Sequence, residues 1–275
     1  MFSHQYENSI GNELYNCYWY KDAHWKLHYH RGYEFVWVTR GELSARVGEK
    51  EYTLREGDAL FITPYQLHSY TTSELSECYI TVFSGSYVGN FSKATAAKEP
   101  TDASFRISAP LEAYLSENMI GEKYGALGEK NYLEIDKPSL FTAKACLYAV
   151  CAEFFSVSEW REKRERNELV FQIISYVEKH YTENITLRDM SDALSYEYHY
   201  VSRVLRESLN MRFCMLVNQY RCERARMLIT ETGESISAIA MNCGFQSIRT
   251  FNRAFYEVTG MTPTDVRNGK RLIKT

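Results

Sequence analysis

The chain has 275 residues, 45% hydrophobic and 24% charged, with 32 Lys+Arg against 35 Asp+Glu and a formal net charge of −3; that is the balance of a globular protein with room for two ordinary domains. Its seven cysteines are scattered without a C-x-x-C pair, which argues against a disulfide framework or zinc finger and for the reducing cytoplasm. The opening residues lack the basic start and apolar run of a secretory signal. The most apolar helical stretch, "ACLYAVCAEFF", is interrupted by Glu153 and falls short of the roughly 20 residues that span a bilayer, so no membrane partner is expected.

Charge is unevenly placed. Residues 1–160 hold 14 basic and 21 acidic side chains, a net of −7, whereas residues 161–166 ("REKRER") and 167–275 each carry +2. An acidic front and a mildly basic back point to different partners for the two parts.

From Leu27 to Tyr87 short β-like runs alternate with turns. "EFVWVTRG" ends at Gly41, "ELSARVGEKEYTL" turns at Gly48, and "EGDALFITP" places Gly57-Asp58 before an apolar strand. Such spacing predicts a small sandwich or barrel. His28, His30 and Glu34 share strand parity, so one unbroken strand aims all three to one face, and His68 after the Pro64 turn can close the same site. These residues carry a resemblance: H-x-H-x3-E-x6-G, filled by His28, His30, Glu34 and Gly41, is similar to the first motif of the cupins, and Gly57, Pro64 and His68 resemble a degraded second one. The resemblance covers about sixty residues. It implies a divalent metal held by His28, His30, Glu34 and His68, a set that suits mixed nitrogen and oxygen ligation. The residues themselves are read first as an effector pocket without cofactor, made of those four with Trp25, Tyr33 and Trp37. Twenty-two tyrosines, many before residue 90, supply aromatic faces on which a carbohydrate can stack.

In residues 106–166, "SLFTAKACLYAVCAEFFSVS" places Leu140, Ala143, Leu147, Val150, Cys151 and Phe154 at helical spacing behind a start at Pro138-Ser139. Its broad apolar face packs either on the barrel or on a second copy of itself, and "REKRER" is a solvated linker.

The strongest pattern is an internal repeat near the end of the chain. "TLRDMSDALS" begins with Thr186 and Asp189 in capping-box spacing, and "EYHYVSRVLRESLN" follows a turn at Ser195-Tyr196. About fifty residues on, "SISAIAMNCG" begins at Ser235, and "IRTFNRAFYEVTG" follows a turn at Gly244-Phe245. The first helices correspond at an offset of 49 and the second at 50, so the second turn holds one extra residue. Val201, Val204 and Leu205, then Phe251, Phe255 and Val258, face inward. His199, Ser202, Arg203 and Arg206, then Arg249, Asn252, Arg253 and Tyr256, face outward. Two helices about a tight turn, the second with a polar outer face, form a helix-turn-helix; arginine, asparagine and serine there can read base edges in the major groove. Between the repeats runs "FCMLVNQYRCERARMLI", a helix of about 17 residues and roughly 25 Å, with Val217, Tyr220 and Leu228 inward. That is shorter than the roughly 34 Å of one DNA turn, so double-stranded DNA engaged by both repeats should bend or accept tilted helices.

Residues 167–275 resemble the AraC/XylS family of bacterial transcription regulators. The match is carried by Arg203, Leu205, Phe213, Asn218, Arg221, Ala225, Leu228, Ile236, Ile239-Ala240, Gly244-Phe245, Phe251, Arg253, Phe255 and "GMTPTDVR". Ser195 and Asn210 stand where the family has glycine, and Ser191 where it favours alanine. The resemblance implies base contacts from His199, Ser202 and Arg203 in the first repeat, and from Ile248, Arg249, Asn252 and Arg253 in the second.

The expected whole is an α+β, two-domain chain: a cupin-like effector domain (1–105), a helical dimerisation or linker segment (106–166) and an all-α tandem helix-turn-helix domain (167–275). It reads as a cytoplasmic homodimeric regulator and not an enzyme, sensing a small molecule, foremost a sugar, and contacting RNA polymerase as an activator. The alternative, a metal-dependent cupin sensor, isomerase or oxygenase with a DNA-binding tail, rests on the four metal-ligand residue types.

Overall fold

The computed structural model describes residues 3–4, 14–120, 132–163, 165–209 and 211–269, which form two compact units, Met1–Lys163 and Arg164–Thr275. Asn210, most of the opening stretch and the last residues of the family match lie outside the described residues.

The first unit is built on β1 (Ser3–His4), β2 (Tyr15–Lys21), β3 (Trp25–Tyr29), β4 (Tyr33–Val47), β5 (Lys50–Arg55), β6 (Asp58–Ile62), β7 (His68–Thr71) and β8 (Ser76–Phe83). After α1 (Gly89–Ala94) come β9 (Lys98–Pro100), β10 (Ser104–Arg106), α2 (Ala109–Leu115), β11 (Tyr132–Glu134), α3 (Leu140–Val157) and β12 (Trp160–Glu162). Ten strands join in one curled sheet, a half-barrel with the order β1-β3-β7-β4-β8-β2-β11, to which β5, β6 and β10 add. The sequence reading ended a strand at Gly41. Instead β4 runs through it: Gly41 takes φ 76, the β4–β8 register shifts between Val38 and Arg40, and an added Cβ would overlap the Leu75 carbonyl. Glycine is what lets one strand turn this corner. The first half of β4 therefore pairs with β6 and β8, and the second half with β5 and β7.

Alternation along β4 sorts side chains into two cores. Tyr33, Phe35 and Trp37 join one cluster; Val36 and Val38 join the other, on the face that Glu34 shares by parity. The first cluster is completed by α3, whose Ala143, Cys146, Leu147, Val150, Cys151 and Phe154 are buried in it. Phe154 stacks on Phe61 at 4.7 Å and lies 5.1 Å from Phe105. The described residues of 106–163 thus belong to the first unit and not to a separate connector, with Leu140, counted in the apolar face, 46% exposed. The helix spans 18 residues and is long and apolar enough to cross a membrane by length and composition alone; what its apolar face meets here is the sheet.

The second unit holds α4 (Glu165–His180), α5 (Leu187–Ala193), α6 (Tyr198–Leu209), α7 (Phe213–Glu231), α8 (Ile236–Asn242), α9 (Ile248–Thr259) and α10 (Pro263–Arg267). Residue 165 onward, read as linker, already belongs to α4. Local chemistry sets the helix starts: Thr186 and Asp189 form a capping box on α5, Ser235 caps α8 and Ser247 caps α9. Val201, Val204 and Leu205 are buried, as are Phe251 and Phe255, while Val258, read as inward, is 37% exposed.

Candidate functional site

In the first unit the four metal-ligand residue types do converge. The β3–β7 ladder sets His28 opposite His68, and His30 and Glu34 approach from either side of the turn into β4. All four are buried, and their ligand atoms lie within 4.8 Å of one another. Each imidazole is tied back to the chain through Nδ1: His28 to the Lys26 carbonyl (2.9 Å), His30 to Gly32 (3.0 Å) and His68 to Gln66 (2.7 Å). A carbonyl can only accept, so each Nδ1 carries the proton, and in a neutral ring each Nε2 is left as a bare lone pair.

The centre thereby collects acceptors. Tyr70 donates its hydroxyl to Glu34 Oε1 at 2.6 Å, while Oε2 lies 2.7 Å from His30 Nε2 and 3.4 Å from His68 Nε2. Burial would raise the Glu34 carboxyl, but His68 and His30 outweigh it and hold it well below the usual range. Burial, and then neighbouring His68, push His28 down to about 2; burial lowers His30 as well. Burial thus favours the neutral rings of His28 and His30, beside an ionised Glu34 carboxylate. His68 Nε2 is buried with no hydrogen-bond partner among the described residues, and His30 Nε2 faces a carboxylate oxygen with its one proton already committed to Gly32. A cation ligated by three Nε2 atoms and Glu34 satisfies every one of these groups, and the backbone-tethered Nδ1 protons are the outer-shell support that metal-binding histidines use. Bonds of about 2.0–2.2 Å set opposed ligands about 4 Å apart, close to the span seen. The residues fit a transition metal.

The wider pocket does not hold together as read. Tyr33 and Trp37 have odd parity on β4 and sit in the opposite core, where Trp37 stacks on Tyr79 and Tyr33 on Phe83. Trp25 does reach the centre's side: the β3–β7 register shifts between Trp25 and His28, and its ring lies 6.2 Å from Tyr70. Tyr70, one of the aromatic residues around the motif, lies two residues after His68 and so on the same strand face. Tyr18, Tyr20 and Tyr132 continue the aromatic group outward, Tyr20 at 4.4 Å from Trp25 and 5.6 Å from Tyr132; Tyr132 is 50% exposed.

In the second unit the two helix faces expected to read DNA stand open. His199, Arg203 and Arg206 on α6 are exposed and Ser202 is half-buried; Ile248, Arg249, Asn252 and Arg253 on α9 are all exposed. The turns before them repeat bond for bond: Tyr196 N–H donates to Ser191 O at 3.0 Å, and Phe245 N–H to Ala240 O at 3.1 Å. Ser195 takes the left-handed conformation that Gly244 takes in the second turn, with φ 59 against 88. The serine thus adopts the turn that glycine would make at lower cost. Sequence reasoning did not mark Tyr200, whose ring holds the Arg203 guanidinium at 5.4 Å; a tyrosine three residues before an arginine on a helix is the signal.

Comparison with known proteins matches both parts. Residues 14–115 match the family model described as an AraC-like ligand binding domain, and residues 190–269 one described as a helix-turn-helix domain. An uncharacterized HTH-type transcriptional regulator of Staphylococcus aureus is 32% identical over 107 residues, 39% of this chain and 14% of that relative. Another, YisR of Bacillus subtilis, is 28% identical over 102 residues, 37% of this chain and 36% of its own length. The chain thus spans a minor part of the curated relatives it matches. Among solved structures, unsaturated fatty acid bound ToxT from Vibrio cholerae aligns with a TM-score of 0.57 at 14% identity, covering 94% of this chain and 95% of that one; this likeness is one of fold.

Proposed function

From a chain that belongs to the AraC family of transcriptional regulators, with a helix-turn-helix DNA-binding part and a ligand-binding part, we propose a sequence-specific cytoplasmic activator that works as a homodimer and engages RNA polymerase at its promoter. The observation that carries the DNA reading is the bond-for-bond repetition of the turn ahead of two exposed polar helix faces. His199, Ser202, Arg203 and Arg206 read one major-groove segment, and Ile248, Arg249, Asn252 and Arg253 the next. Arg203 and Arg253 suit bidentate guanine contacts, and Asn252 an adenine. Selection of duplexes from a randomised library by the full chain tests this: Arg253→Ala should relax preference at one base position by about 1–3 kcal/mol, and an unchanged selected sequence would remove that residue from the reading face.

In the sensing part, His28, His30, Glu34 and His68 would hold a divalent transition metal. When bound, the metal supplies a Lewis-acidic position at which an oxygen or thiolate of a small effector can attach. The chain's own residues do the rest: the Lys26, Gly32 and Gln66 carbonyls orient the three rings, and Tyr70 keeps one Glu34 oxygen occupied. The span of 4.8 Å between ligand atoms suits an ion and not a sugar ring. A carbohydrate effector is supported only further out, where half-buried Tyr18, Tyr20 and Trp25 and exposed Tyr132 offer aromatic faces. The effector must favour one DNA-binding arrangement over another, since equal affinity for both shifts nothing.

A further inference from the structure

Arg221 lies midway along α7 and plays no part in either reading face. Its Nε donates to the Tyr181 carbonyl at 2.6 Å and its NH2 group to the Glu183 carbonyl at 2.8 Å, so the guanidinium fork grips the loop between α4 and α5. The guanidinium also lies over the Phe245 ring, 5.5 Å from its centroid, in the turn of the second repeat. The same loop touches that turn directly: a Cβ on Gly244 would sit 2.6 Å from the Thr182 carbonyl oxygen. The entry to the first repeat, the connecting helix and the turn of the second repeat thus meet at one side chain.

We propose that Arg221 is a positioning residue for DNA reading, locking the second repeat's turn to the α4–α5 loop so that α6 and α9 are presented as one rigid pair. This rests on the DNA-binding reading above. Two linked reading heads gain avidity only while their geometry permits simultaneous engagement, and a loosened joint lowers the effective concentration of the second head without touching either head's own contacts. Lysine at this position keeps the charge but cannot make the forked contact with two carbonyls.

The probe is a duplex enriched by the wild-type full chain from a randomised library, with two derivatives in which one or the other half is scrambled and a third with a base pair inserted between the halves. By fluorescence anisotropy, Arg221→Lys should stay within about twofold of wild type on each single half and weaken about tenfold on the full duplex. The insertion should weaken wild type more than the variant. Equal losses on whole and half duplexes, or an unchanged whole-to-half ratio, would overturn the proposal while leaving the DNA reading intact; enrichment of no sequence by wild type would overturn both. If Arg221→Lys does not melt cooperatively, Arg221→Gln, which keeps a single forkless donor group, is measured by the same ratio.

Discussion

Replacing Gly244 by alanine and Ser195 by glycine should shift stability in opposite directions, although the two positions occupy the same step of equivalent turns. Gly244 has φ +88, and a Cβ there would lie 2.6 Å from the Thr182 oxygen and 2.8 Å from its carbonyl carbon, both backbone atoms that cannot rotate away. The left-handed conformation costs a side-chain-bearing residue about 1–2 kcal/mol, and forcing an atom into a packed contact about 1–3 kcal/mol more. Gly244→Ala should therefore destabilise the second unit by about 3 kcal/mol, a large share of the 5–15 kcal/mol typical of a domain. Ser195 holds φ 59 and is exposed. Glycine there relieves the conformational cost but frees the unfolded chain by about 0.5–1 kcal/mol, leaving a gain of about 0.5–1 kcal/mol. At about 4 °C per kcal/mol for a unit of this size, the transition should fall by about 12 °C in the first variant and rise by a few degrees in the second. Differential scanning calorimetry of the full chain reads this, with the second unit's transition identified by its rise on adding DNA. A Gly244→Ala protein within about 1 kcal/mol of wild type would show that the Thr182 contact yields, and a destabilised Ser195→Gly would mean that the serine side chain contributes something the turn geometry does not explain.

Purified without a metal-affinity tag, the chain should carry about one equivalent of transition metal by elemental analysis, lost in His30→Ala; a metal-free wild type would return the cluster to a scaffold role. After chelation, stability should be sensitive to acid. His28 and His30 have folded-state pKa values below the unfolded 6.5, so their contribution is full above about pH 6.5 and is lost as pH falls, with Glu34 adding a loss in the same direction below about 4.5. Urea midpoints should change little between pH 8 and 6.5 and fall between pH 6.5 and 5; a flat profile down to pH 5 would mean the imidazoles stay solvated. Phe154→Ala removes a ring stacked 4.7 Å from Phe61 and should cost the first unit about 3–5 kcal/mol. A near-neutral result by chemical denaturation would place α3 outside the core.

The reading half was legible because its signals are local. Capping residues, the period of the apolar positions and a repeat at offsets of 49 and 50 each act within a helix turn or two, and they placed α5, α6, α8 and α9 and their outward faces from letters alone. Parity along one unbroken strand also grouped His28, His30 and Glu34, but the structure brings them together across a break: His28 lies on β3, Glu34 on β4 and His30 in the turn between them. Alternation along β4 puts Tyr33 and Trp37 on the face opposite Glu34, whereas Tyr70 shares the face of His68 on β7.

What depended on tertiary structure were the long-range meetings. An apolar helix face does not state what it packs against, so the burial of α3 on the sheet was open until Phe154 met Phe61. Gly41 can end a strand or bend one, and only the Leu75 carbonyl pressed against it distinguishes the two. The ligand-ready state of the three histidines depends on which carbonyls their Nδ1 atoms reach, and the joint at Arg221 depends on a loop 40 residues away. Local propensity and periodicity are properties of neighbouring residues, whereas these contacts close loops of many residues and exist only once the whole core has formed.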